Sequence, residues 1–173
     1  MIDRNEIPGD IVNYLEYDET SRTGLRWKKL FGKKNQINVG DEAGSFDKCT
    51  SYYRTNFNNK SYLNHRIVFF LHNGYCPDIL DHEDCIRTNN NINNLREASM
   101  SENNINKPIQ KNNTTGVKGL SIIRNTCWRL RIRKDRKLIF LETYKLSDKT
   151  KDECRVILEN KRKDLHGSFA NHG

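Results

Sequence analysis

The apolar residues of this sequence come in short periodic runs separated by polar turns. None of those runs approaches the roughly 18–20 residues that a helix needs to cross a bilayer. That patterning limits the 173-residue chain to small modules with modest cores, since only 35% of its residues are hydrophobic and 30% are charged. The 7 Tyr, 7 Phe and 2 Trp argue against full disorder, because they fall within the periodic runs rather than in a polar tract. Met1 to Glu6 lack the charge and apolar layout of a secretion signal. The chain therefore reads as cytoplasmic, not secreted and not membrane-bound. Its five cysteines, Cys49, Cys76, Cys85, Cys127 and Cys154, include no pair at the spacing of a zinc knuckle. They read as free thiols in a reducing compartment, with a structural zinc assembled from distant pairs as the alternative.

Charge divides the chain. Residues 1–110 hold 14 Lys and Arg against 15 Asp and Glu, whereas residues 111–173 hold 16 against 7, so the whole basic excess sits in the last third. A compact basic module beside a near-neutral one suggests an anchor for a polyanion and a separate working part. No broad-faced amphipathic basic helix is visible for a membrane surface, which leaves nucleic acid as the natural polyanion. A solvated basic surface with no partner is the plainer alternative.

Residues 10–75 carry strand and turn signals. Gly24 to Trp27 reads as a short strand, and Tyr52 to Phe57 with Ser61 to Leu63 flank Asn58-Asn59-Lys60 in a hairpin pattern. Asn64 is placed to cap a short buried helix over His65 to His72, closed by Asn73-Gly74. His65 and His72 on that helix read as core or cap residues. Beyond a polar stretch at 107–114, read as a linker, three strands are expected at Lys118 to Ser121, Trp128 to Lys134 and Lys137 to Tyr144, with turns at Arg124-Asn125 and Asp135-Arg136. Trp128, Leu130 and Ile132 alternate with Arg129, Arg131 and Arg133, the period-two pattern of a strand with one apolar and one cationic face. An amphipathic helix is expected over Asp148 to Lys163.

The most unusual stretch is Leu80-Asp81-His82 followed by a polar loop, then Ile92-Asn93-Asn94-Leu95-Arg96. An apolar strand end delivers Asp81 and His82 side by side, and Ser99 can cap a helix carrying Asn103 and Asn104. This strand, loop, strand, helix unit resembles the HNH nucleases, whose ββα fold surrounds one divalent metal. The resemblance rests on Asp81-His82, the Arg87-Thr88-Asn89-Asn90 loop, the 92–96 run, and Asn103 after Asn94, and the upstream His65 to Val68 helix and Gly40 to Phe57 region resemble the leader of many phage members. It implies that Asp81 and Asn103 offer hard oxygens to one Mg²⁺ ion, or Mn²⁺, that keeps several waters. It assigns His82 as general base on water, with Asn94 holding the loop and orienting His82, and Asn90 fastening the loop as a turn residue. The asparagine at position 103 is the choice seen chiefly in phage homing-type members, so the resemblance also implies a phage origin and the cytoplasm of an infected bacterium.

Asn113 to Leu120, Trp128-Arg129, Lys137 to Leu141 and Leu165 to Ala170 resemble the plant ethylene-response-factor type (APETALA) DNA-binding domain, a three-stranded sheet backed by one helix. That resemblance implies that Lys118, Arg124, Arg129, Arg131, Arg133 and Arg136 contact duplex DNA, some on phosphates and one or two on base edges. A charged outer strand without a partner is the alternative.

The sequence thus reads as an α+β protein of small modules: a β-rich leader (1–60), an HNH ββα-metal unit (61–106), a linker (107–114) and a sheet-plus-helix DNA-binding module (115–173). The expected function is metal-dependent hydrolysis of DNA phosphodiesters, leaving a 5′ phosphate and a 3′ hydroxyl. No small-molecule substrate is expected, and the chain would act as a monomer or a DNA-dependent dimer. A DNA-binding regulator on an inactive HNH scaffold is the alternative, and a structural or RNA-binding protein is a third reading.

Overall fold

A computed structural model describes residues 6–30 and 37–173. Residues 1–5, which carry most of the reading on secretion, lie outside the described residues. Among the described residues the architecture is mixed α+β, made of small antiparallel sheets and three α-helices. It divides into two compact units, residues 1–97 and 98–173. No helix among the described residues is long and apolar enough to cross a membrane.

The first unit opens with a 3₁₀ turn at Gly9–Asn13, then pairs β1 (Leu15–Tyr17) with β2 (Leu25–Trp27). A second sheet follows, β3 (Ser45–Asp47), β4 (Tyr52–Phe57) and β5 (Lys60–Leu63), in sequential order. Its β4–β5 hairpin turns on Asn58 and Asn59, both at positive φ, between the paired residues Phe57 and Lys60. Two successive left-handed residues define a type I′ turn, and asparagine tolerates that region better than most side chains. Helix α1 (Asn64–Asn73) ends at Gly74 in the left-handed conformation. β6 (Leu80–His82) then pairs with β7 (Leu95–Glu97). Ile11, Leu15, Leu25, Phe57, Tyr62, Ile67, Val68, Leu80 and Leu95 belong to one buried core, to which β3 adds no residue.

Asn64 departs from its expected role. The N-cap position of α1 falls on Leu63, and no side chain caps the helix. The Asn64 side chain is instead fully buried, accepting from Thr55 Oγ1 at 2.8 Å and donating to Ala43 O at 2.9 Å and Thr23 O at 3.2 Å. One amide satisfies three buried groups there, where a cap would have satisfied a single helix N–H that solvent can also reach.

The second unit begins with α2 (Met100–Asn106), started by a reciprocal capping box between Ser99 and Glu102. A three-stranded sheet follows: β8 (Leu120–Ile123), β9 (Cys127–Lys134) and β10 (Lys137–Lys145), with β9 central. β8 lies two residues beyond the expected strand, so Lys118 precedes the sheet. Helix α3 runs over Lys151–His166 rather than 148–163, because Thr150 and Glu153 form its capping box. Leu120, Leu130, Ile132, Cys154 and Leu158 form the separate core of this unit, with Trp128 packed against it.

Candidate active site and candidate nucleic-acid surface

Strand alternation sends Asp81 and His82 to opposite sides of β6, and both are buried, at 6% and 5% exposure. Asp81 lies across from Arg96 on β7, whose Nε donates to its Oδ2 at 3.0 Å. On the other side, the His82 ring meets His65 of α1 edge-on, with centroids 4.9 Å apart, and lies 5.9 Å from Tyr52 of β4. Tyr52 also packs on His65 at 4.9 Å, and the Arg87 guanidinium lies 5.2 Å above the Tyr52 ring. Two elements outside β6, α1 and β4, therefore hold the imidazole.

Burial is the main influence on His82, pushing its pKa below the ordinary imidazole value, while Asn90, Asp84 and Asp81 act in the opposite direction. His65, only 5% exposed, is driven well below that value, first by burial and then by the charges of His82 and Arg66. Its Nδ1 has no hydrogen-bond partner among the described residues. A neutral imidazole can accept a proton, which is the property a base acting on water needs.

The loop between β6 and β7 is organised by asparagines. Asn94 ends a 3₁₀ turn, and its side chain bonds the loop itself: Nδ2 donates to Asp84 Oδ1 and Asn89 O, both at 2.9 Å, and Oδ1 accepts from Asp84 N at 3.0 Å. Burial pushes the Asp84 carboxyl up, but hydrogen bonds from Asn89, Ile86 and Asn94 outweigh it and hold the pKa below the usual carboxylate range. Asn90 is buried at 4% exposure; Nδ2 donates to Thr23 O at 2.9 Å, and the side chain interacts with His82. The asparagine beside the imidazole is thus Asn90, which the sequence marks only as a turn residue. Gly24 makes room for it. At φ +79°, a Cβ at Gly24 would sit 2.9 Å from that of Asn90.

Asn103 lies on α2, in the second unit, half-buried, and its backbone N–H bonds Ser99 O at 3.0 Å. Among the described residues, no group of three or more His, Cys, Asp or Glu could hold a metal ion, and all five cysteines are free thiols. Among the described residues Asp81 is the one buried carboxylate, and a site with few protein oxygens suits Mg²⁺, which retains several waters, rather than an ion that needs a full protein cage.

His65, Tyr52 and Arg87 are the contributors that sequence reasoning missed. Arg87 sits inside the Arg87-Thr88-Asn89-Asn90 run and gave a local signal. His65 reads in the sequence as a core or cap residue and Tyr52 as part of a hairpin strand in the leader, and only the fold brings α1 and β4 against β6.

In the second unit, Arg129, Arg131 and Arg133 follow one another on one face of β9. Burial and the neighbouring charges of Arg129 and Arg133 pull the Arg131 pKa down, the signature of crowded like charges. Arg129 Nε donates to Ser121 Oγ on β8 at 3.3 Å. Arg124 and Arg136 stand exposed in the two hairpin turns, both at positive φ. Lys118 is different: its ammonium donates to the carbonyls of Ile105 at 2.9 Å and Lys107 at 2.5 Å. Trp128 Nε1 donates to Lys149 O at 2.9 Å, so its ring serves the core side of the sheet.

No curated protein matches the chain, and neither does any solved structure. Residues 62–105, roughly a quarter of the chain, match the family model described as HNH endonuclease, a span that contains Asp81, His82, Asn90, Asn94 and Asn103 and supports a nuclease-type activity directed at DNA.

Proposed function

We propose that this chain is a metal-dependent endonuclease that hydrolyses phosphodiester bonds in duplex DNA. The observation that carries the reading is the buried His82 beside Asp81, its ring held by Tyr52, His65 and Asn90, inside the span that matches the HNH family. In the proposed reaction His82 takes a proton from a water molecule whose oxygen attacks phosphorus in line with the 3′ oxygen. The P–O3′ bond then breaks and the departing oxygen takes a proton from solvent, leaving a 5′ phosphate and a 3′ hydroxyl. Asp81 and Asn103 would hold a divalent cation, Mg²⁺ or Mn²⁺, which when bound supplies Lewis-acid stabilisation of charge on the phosphate and the leaving oxygen. Tyr52 and His65 keep the base ring in place and away from bulk water, so His82 stays neutral at physiological pH. Asn94 fastens the loop that follows the base. The row Arg129, Arg131 and Arg133, with Arg124 and Arg136, anchors the duplex through its phosphates.

Plasmid nicking with Mg²⁺, with EDTA and with His82→Ala tests this. The expected result is cleavage that needs the metal and falls about 10²–10⁴-fold in His82→Ala, while gel-shift affinity for duplex DNA is kept. Binding with no cleavage under any divalent metal would instead mark a DNA-binding regulator on an inactive scaffold.

A further inference from the structure

The second unit holds a cleft that the arginine row of β9 does not account for. It has a volume of about 620 Å³ and is lined by Ser101 and Asn104 of α2, Arg133 and Arg136 of the β9–β10 hairpin, and Arg162 and His166 of α3. Asp135 is the one carboxylate on its wall. Arg162 is the unusual member. It is only 4% exposed, its Nη2 donates to Lys118 O, and its Nη1 has no hydrogen-bond partner among the described residues. Among the described residues no carboxylate lies within ion-pair distance of it. His166 Nδ1 is likewise buried without a partner.

A buried guanidinium with an idle N–H is costly unless something charged completes it. The backbone is shaped to admit this one. Gly119 has φ +77°, and a Cβ there would fall 2.9 Å from Arg162 Nη2 and 2.5 Å from Arg131 O. Arg136 occupies the second left-handed position of the β9–β10 turn, at φ +63°, where glycine is the preferred residue. The planar fork of arginine matches the oxygens of a phosphate, and hydroxyl and amide groups such as those of Ser101 and Asn104 add neutral hydrogen bonds. The cleft is larger than a lone phosphate needs, and Arg131 and Arg133 belong both to its lining and to the cationic row on β9. A polyanion that runs on past the cleft fits that layout better than a free ion.

We propose that this cleft binds a backbone phosphate of duplex DNA, with Arg162 and Arg136 as its charged contacts. The inference rests on the reading of the second unit as a DNA anchor and adds a site on its helix side.

The test uses the full chain in EDTA, binding a fluorescent 20-base-pair duplex across a KCl series by anisotropy. Each phosphate contact contributes about 0.9 to the slope of log affinity against log salt. Arg162→Gln and Arg136→Asn should each lower the slope by about 0.9, and the double variant by about 0.9 rather than twice that, because both act on one phosphate. Arg129→Ala, on the row, should lower it further when combined with either. Arg136→Asn keeps a residue that accepts the turn, so it remains informative if Arg162→Gln fails to fold. Wild-type slopes in Arg136→Asn alongside a reduced slope in Arg129→Ala would overturn the cleft and leave the DNA anchor standing. Absence of duplex binding by the wild-type chain would overturn both.

Discussion

Lowering the pH should unfold the first unit through His65, and the size of the effect follows from its surroundings. In the unfolded chain an imidazole takes up a proton near its ordinary value of 6.5, whereas the folded environment holds His65 neutral to well below that. As pH falls past 6.5, the unfolded chain therefore binds one more proton than the folded chain, and stability is lost. The loss continues until the depressed folded value is reached. One proton corresponds to about 1.4 kcal/mol per pH unit, so His65 removes stability at up to about that rate as pH falls below 6.5 toward its depressed folded value. Against a typical domain stability of about 5–15 kcal/mol a loss at that rate is large. His82 contributes in the same direction, so the His65 share must be isolated by comparison. The assay is urea unfolding of wild-type and His65→Gln proteins, both carrying Trp128→Phe so that fluorescence reports Trp27 in the core of the first unit. Wild type should lose more stability than His65→Gln as pH falls below 6.5. Parallel pH profiles would refute the argument that a buried neutral imidazole sits at position 65.

Three further outcomes follow from particular contacts. Asn64→Ala leaves Thr55, Ala43 and Thr23 short of hydrogen bonds in the core and should cost about 3 kcal/mol, read by chemical denaturation on the Trp27 signal. Arg96→Ala leaves the Asp81 carboxylate buried without its cross-strand cation and should cost about 3–5 kcal/mol; Arg96→Lys should recover part of that in the same assay. Thr150→Ala removes the capping box of α3 and should cost about 1 kcal/mol, seen as faster hydrogen exchange in the first turn of that helix.

Where a structural signal is local, the sequence carried it well. The alternation from Trp128 to Arg133 marks β9 because a strand with one wet face repeats every two residues. The Asn58-Asn59 hairpin is visible because few residues accept two successive left-handed positions. Thr150 with Glu153 was equally readable, and it places the start of α3 better than Asp148 does. Asn64 was misread for a physical reason: at a helix start the same amide suits a cap or a buried clasp, and only the arrival of Thr23 and Ala43 from other segments decides between them. The same limit applies at the candidate site. Asp81, His82 and the asparagine loop lie within one short stretch and can be recognised there. The rings that hold His82 come from α1 and β4, and the carbonyl that holds Asn90 comes from the β1–β2 connection. Non-local packing of that kind leaves no periodicity to read.

The Thr23 carbonyl receives both the Asn64 amide, at 3.2 Å, and the Asn90 amide, at 2.9 Å. A single peptide oxygen near the beginning of the chain thereby rivets the helix and the asparagine loop to the same point. Anyone wishing to transplant this putting-together of parts into another protein could not excise the family-matched stretch 62–105 by itself. Such a graft would leave two amides without their common acceptor and strip Ile11, Leu15 and Leu25 from Ile67 and Val68, so the portable piece must begin upstream of β1.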